Sequence, residues 1–357
     1  MVKIAKSHAA PAPAPRIESV RPSAALPGGE IEVLGSHLGA MGLARPTALL
    51  GEAAAHILLS RPDRIVVQTP AEMAPGGDKL TIQQRGVSSN VIDVQVARMV
   101  ADGVHAVGNP AVDASGNIFV TYSGPRGQTS PVSVFRIDGQ GEPQSFLTGL
   151  INATGLAFDQ AGYLYVSSRQ EGTVHRVSPA GAASLYSEGM GVATGLAFDA
   201  GGNLYVGDRS GTIFKIGADR QIFVFATLEP SVAAYHLAFG PGGTLYVTGP
   251  TTSSYDSVYA IDTHGAPRVY YRGLGRPQGL AVDRTGNVYV AASYRGRRGI
   301  FRVTGEGEIA MVVAGSGIAG LAFAPGGDMV VATSDTVYRL HLGIAGFEGA
   351  LAGGLKS

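Results

Sequence analysis

The side chains able to do chemistry in this sequence are mainly guanidinium, amide and imidazole groups at recurring positions, with few carboxylates among them. Arg126, Arg169, Arg209, Arg276 and Arg295 carry fixed positive charge in a planar fork, which suits carboxylate or phosphate groups. Asn109, Asn152 and Gln278 add amides, and Asp208 adds one carboxylate, so the ligand-binding candidates are Asn109, Asn152, Arg169, Asp208, Arg209, Arg276 and Gln278. His105, Tyr235 and His236 are the candidate catalytic groups, because a neighbouring Tyr–His pair offers acid/base chemistry. A Ca²⁺ or Mg²⁺ ion needs several oxygen ligands, most of them anionic. Asp208 and Asn109 supply only a thin version of such a cage.

These residues share a setting. The segment 195–206 reads GLAFDAGGNLYV, and it returns as 155–166 (GLAFDQAGYLYV), 279–290 (GLAVDRTGNVYV), 320–331 (GLAFAPGGDMVV), 236–247 (HLAFGPGGTLYV) and 109–120 (NPAVDASGNIFV). A spacing of roughly 40–46 residues is that of one four-stranded propeller blade. Within a copy, two apolar runs flank Asp and Gly, the chemistry of a tight turn, so each copy predicts a β-hairpin. Asp113, Asp159, Asp199 and Asp283 are therefore expected to make turns rather than to bind ligand. Two further runs, such as 212–216 and 221–226, complete four strands. One such sheet cannot bury both faces, so the sheets must stack in a ring. In that topology the residues before each first strand and after each second strand meet on one face. The candidates above fall in those two sets.

Ring closure needs a partner for the last copy, whose third strand ends near Leu340. The stretch 96–101 resembles the fourth strands of other copies, which predicts that it closes the ring and leaves no open edge. The alternative is that 347–352 supplies that strand.

The segment 16–95 has another texture: about seven short alternating runs punctuated by Pro and Gly, as in an immunoglobulin-like β-sandwich. The chain then divides into a leader at 1–15, rich in Ala and Pro, a sandwich at 16–95, the repeat array at 96–345 and a tail at 346–357. The fold class expected is all-β, a sandwich followed by a six-bladed propeller. Glycine is abundant at 52 of 357 residues and net charge is zero, which gives no global field for nucleic acid or an anionic membrane. Cysteine is absent, which excludes disulfides and thiolate sites, and no apolar run approaches the ~20 residues of a membrane helix. The N-terminal stretch lacks the apolar core of a secretory signal, which gives a cytoplasmic expectation. No Ser elbow or phosphate-binding Gly loop is present, and the basic run YRGRRG at 294–299 reads as a solvated loop. His37, His56, His175, His264 and His341 read as surface or strand residues.

The repeats resemble NHL repeats and the wider six-bladed group that contains the gluconolactonase and senescence-marker family. The segment PRIESVRPS, then PGGEIEVLGSHLG, resembles the IPT/TIG family. The first resemblance implies a propeller and, for the lactonases in that group, a divalent cation held by carboxylate and Asn ligands at the mouths of inner strands. This chain departs from that pattern: Val107-Gly108-Asn109-Pro110 replaces the family's Glu-Gly-Pro, and Thr154, Thr194, Gln278 and Ala319 stand before the repeat glycines. The second resemblance implies an interaction or spacer module. The function expected is recognition of a small anionic or polyhydroxylated ligand, or a protein loop, at the channel mouth. The alternatives are a gluconolactonase-like hydrolase with an atypical site and a purely structural ring.

Overall fold

The computed structural model describes residues 13–40, 44–72, 78–125, 127–139, 141–253 and 255–347. The chain forms two compact units, divided between Val96 and Ala97. The described residues are almost entirely strands and turns; the only helical turns among them are the short 3-10 turns Pro241–Gly243 and Pro325–Gly327. No helix among them is long and apolar enough to cross a membrane.

The first unit is all-β, and its longer strands pair antiparallel. Arg16–Arg21, Glu30–Ser36, Arg64–Gln68 and Ala53–Ser60 lie side by side. The start of Ala53–Ser60 pairs instead with Thr47–Leu50, which pairs in turn with Lys79–Gln84. Alternation drives the packing: Glu30 and Glu32 face outward while Ile31 and Val33 are buried. Val67, Ile65, Ala48, Leu50, Leu80 and Ile82 are buried in the same manner.

The second unit contains six antiparallel arrays of four strands. The first is Ala111–Val112, Ile118–Thr121, Val134–Ile137 and Pro143–Leu147; the second Ala153–Phe158, Leu164–Ser168, Thr173–Val177 and Ala183–Ser187. The third is Ala193–Phe198, Leu204–Asp208, Thr212–Ile216 and Ile222–Thr227; the fourth His236–Phe239, Leu245–Thr248, Asp256–Ile261 and Pro267–Leu274. The fifth is Leu280–Val282, Val288–Tyr294, Arg297–Val303 and Ile309–Ala314. The sixth takes Ile318–Ala324, Asp328–Thr333 and Thr336–His341 from the end of the chain and Arg98–Asp102 from its approach to the first array. First strands pack against each other in sequence, and the sixth packs back against the first, so the arrangement is propeller-like.

The seam is antiparallel, with Met99 opposite Tyr338 and Asp102 opposite Thr336. Ala101 and Val104 pack there against Val330 and Val337. The closing strand thus starts two residues later than the stretch read from sequence. Of the alternative closing strand, residues 348–352 lie outside the described residues. Phe347 donates its N–H to the Val282 carbonyl at 2.8 Å, and Gly346 bridges to Asp283, so this part of the chain lies on the fifth array.

The repeat residues now have causes. Asp113 Oδ1 accepts the N–H groups of Ser115 and Asn117, each at 2.9 Å, and Asp159, Asp199 and Asp283 brace their own turns in the same way. Aromatic pairs knit neighbouring arrays edge to face: Phe119–Phe158, Tyr165–Phe198, Tyr205–Phe239 and Tyr289–Phe323, with centroids 4.8–5.2 Å apart. The repeat glycines mark the closest approach of adjacent first strands. A Cβ on Gly155 would be driven into the Thr194 carbonyl, and one on Gly320 into the carbonyl of Gly108. Gly320→Ala is therefore expected to cost about 1–3 kcal/mol through overpacking. Gly305→Ala, where a Cβ meets nothing within 4 Å, is expected to be close to neutral. Urea unfolding of the two variants checks this.

Candidate functional site

Three levels follow one another down the axis of the second unit, and the sequence of each first strand sets them. Thr154 lies at the mouth, Gly155 at a neck, and Leu156 and Phe158 in a basin at the far end. The third array repeats this order with Thr194, Gly195, Leu196 and Phe198.

The mouth encloses about 370 Å³ and is lined by Arg169, Arg209, Gln278, Thr154 and Thr194 among small apolar residues. No carboxylate lines it. Arg169 and Arg209 hold equivalent positions just beyond the second strands of neighbouring arrays. Each donates its backbone N–H to the chain ahead of its own first strand, Arg169 to the Asn152 carbonyl and Arg209 to that of Val192, both at 3.3 Å. That shared bond explains why both side chains reach the same space. Arg209 Nη2 donates to the Val232 carbonyl at 3.1 Å, and Arg169 Nη2 lies 3.4 Å from Ser123 Oγ. The threonine hydroxyls serve the backbone: Thr154 donates to the Asn152 carbonyl, and Thr194 donates to that of Gly207 while accepting the Tyr235 N–H. The polar character presented to the mouth is therefore mostly guanidinium plus the half-buried Gln278 side chain.

A second space of about 440 Å³ lies beside it, lined by Arg276, Arg298 and Ser293, and it shares Gln278 and Ala319 with the mouth. Arg298 belongs to the basic run expected to be a solvated loop. Its register opposite Ser293 across the hairpin instead turns it into a wall of this space. That register follows from the hairpin, a signal present in the sequence only once the strands are paired.

The neck has room for about one water, near 10 Å³. Asn109 and His236 stand there where the other repeats have glycine. Asn109 is committed to closing the ring: its Oδ1 accepts the Leu321 N–H at 3.2 Å and its Nδ2 donates to the Leu280 carbonyl at 3.0 Å. His236 is 2% exposed, and its Nε2 has no hydrogen-bond partner among the described residues. The basin, about 230 Å³, is walled by the side chains of Phe158, Phe198, Phe239, Phe323 and Phe347.

Several candidates are spent on architecture. Asp208 accepts the Val192 N–H at 2.8 Å and the Ser210 hydroxyl, and packs against Gly191. Asn152, in the left-handed region at φ 51°, accepts the Gly127 N–H and donates to the Gly124 and Pro125 carbonyls. The Tyr235 hydroxyl donates to the Glu229 carbonyl, and burial pushes its pKa upward, which removes it as a ready proton donor or base. His105 is exposed, 3.9 Å from Asp335, and lies outside the lining of the mouth, so it does not join Tyr235 and His236. Arg276 lines the side space rather than the mouth itself. Arg295 lies over the Tyr294 ring, and Arg126 falls outside the described residues.

The residues proposed for a divalent cation do not fit one. Asp208 already satisfies backbone and hydroxyl donors, and the Asn109 amide oxygen faces an N–H. Among the described residues no three His, Cys, Asp or Glu side chains come together as a metal cage.

No protein-family model matches the sequence, and a search of curated proteins found no match. Solved structures do share the fold. A gluconolactonase from Xanthomonas campestris superimposes with a TM-score of 0.56 at 18% identity, covering 69% of this chain and 89% of that one. A protein assigned by family as a gluconolactonase gives 0.59 at 19%, covering 71% and 93%. An auxiliary nutrient binding protein from Bacteroides thetaiotaomicron gives 0.54 at 10%, covering 92% and 98%. At such identities the likeness is one of fold: this is an all-β chain with a propeller-like arrangement of sheets, of the kind seen in gluconolactonases.

His236 gives this site a pH signature. Burial holds its pKa down at about 4, against an ordinary 6.5. The unfolded chain therefore binds a proton below pH 6.5 that the folded chain refuses until about pH 4. Stability falls as pH drops through that window, by up to about 3 kcal/mol. His236→Gln is expected to lack this part of the loss when urea midpoints at pH 7.5 and 4.5 are compared. His175, also lowered by burial, is common to both proteins.

Proposed function

We propose that the second unit is a six-bladed, NHL-like propeller that binds a small anionic or polyhydroxylated molecule at its mouth. The observation that carries this reading is the shared lining by Arg169, Arg209 and Gln278 of one space without a carboxylate. Two guanidinium groups in a partly enclosed space hold a carboxylate or phosphate by charge-assisted bonds, and the Gln278 amide suits a hydroxyl or a second oxygen. Val232, 44% exposed beside the Arg209 anchor, offers apolar contact for the body of such a ligand. A protein loop ending in an acidic side chain would satisfy the same groups. The first unit is read as an immunoglobulin-like sandwich of the IPT/TIG kind, serving as an accessory contact module.

The hydrolase reading draws on the fold neighbours, but the groups it would use are apart or already engaged: His105 lies outside the mouth lining, Tyr235 is tied to a carbonyl, and His236 is enclosed in the neck.

Calorimetric titration with gluconate, galacturonate and hexanoate at low ionic strength tests the proposal. At least one is expected to bind, and Arg169→Gln and Arg209→Gln are each expected to weaken it about tenfold, the loss of one charge-assisted bond. Gluconolactone incubated with Ca²⁺ or Mg²⁺ is expected to show no protein-dependent hydrolysis. Binding indifferent to both substitutions, or metal-dependent turnover, would favour the hydrolase.

A further inference from the structure

We infer that the site takes an elongated ligand with two anionic groups, one held at the mouth by Arg169 and Arg209, the other in the side space by Arg276 and Arg298. This rests on the anion-binding reading of the mouth and extends it to the class of ligand.

Three observations carry it. The two spaces, about 370 and 440 Å³, adjoin at Gln278 and Ala319, which line both, so the two pairs of arginines stand on either side of one shared wall. Each space has its own pair of arginines and no lining carboxylate. In the side space, no ion pair joins Arg276 or Arg298 to an acidic side chain among the described residues. A monoanion uses only one of these pairs; a dianion of matching length uses both.

The shared wall fits the middle of such a ligand. The Gln278 backbone is fully engaged, its N–H with the Ala291 carbonyl at 2.8 Å and its carbonyl with the Thr248 hydroxyl at 2.6 Å. The side chain is thus fixed at its root and available to a spacer hydroxyl or carbonyl. Ala319, which lines both spaces beside it, is small and leaves room for the chain of the ligand. Gly299, Gly315 and Gly317 put no side chains into the outer space, so its polar lining is confined to the two arginines, Gln278 and Ser293. Arginine rather than lysine favours planar, two-pronged acceptors, hence carboxylates at both ends.

The second ion pair adds to the first within one molecule, so it gains affinity without a second loss of translational freedom. Isothermal titration of the full chain with hexanoate and with glutarate, adipate, pimelate and suberate reads this directly. One dicarboxylate length is expected to bind at least tenfold tighter than hexanoate. Arg276→Gln and Arg298→Gln, both at exposed positions, are each expected to remove that advantage, bringing the best diacid down to the affinity of hexanoate for the same variant. Arg169→Gln is expected to weaken monoacid and diacid alike. If hexanoate binds through Arg169 and Arg209 but no diacid exceeds it, or if the diacid advantage survives both side-space substitutions, the dianion inference fails while the mouth remains an anion site. If neither hexanoate nor any diacid binds, the anion reading of the mouth fails and this inference with it.

Discussion

The close approach of six first strands around the axis is the constraint on which the rest of the second unit depends. At Gly155, Gly195 and Gly320 the backbone of the next strand fills the place where a side chain would begin. That contact sets how far each array sits from the axis, and so how wide the mouth and basin can be. It also explains why side chains with chemical capacity gather one residue before the glycine or one loop beyond the second strand. Those are the first positions where the ring has opened enough to hold them.

Much of this was legible in the sequence because the same physical demands recur along the chain, each met in four of the six arrays. A glycine for the neck, an Asp that accepts two N–H groups across its turn, and an aromatic pair between arrays together produce the pattern GLAFD…LYV. The exceptions are equally readable in hindsight. Where the aromatic partner is missing, at Val282 and Val112, aliphatic packing takes over. The stretch read from sequence as the seam was 96–101, from its likeness to other fourth strands; the strand that pairs with Thr336–His341 is Arg98–Asp102.

The candidate site was less legible. Asn109, Asn152, Asp208 and Tyr235 have the right types in the right places, yet each is consumed by a backbone group left over at a loop or at the ring's closure. A sequence shows a polar residue at a mouth; it does not show which backbone donors and acceptors nearby lack partners. Arg169 and Arg209 are set at the mouth by their backbone N–H bonds to the chain ahead of their first strands, and the Arg209 guanidinium is steadied further by the Val232 carbonyl. Arg298 looked like part of a charged loop because its neighbours in sequence are charged, whereas its neighbours in space are Ser293 and the wall of the side space.

The seam carries a kinetic consequence. Asp102 and Thr336 are ladder partners separated by roughly 230 residues, so the last contact made is also the longest loop to close. The logarithmic entropy of such a loop is about 5 kcal/mol. Until the final hairpin is in place, Arg98–Asp102 has no ladder partner and the first array lacks the sixth as its packing neighbour. During synthesis the ring therefore stays open until Thr336–His341 has emerged, and the nascent protein is most vulnerable to edge-to-edge association in that interval. Once closed, the same seam makes stability a property of the whole ring, because no array can leave without breaking contacts on both sides.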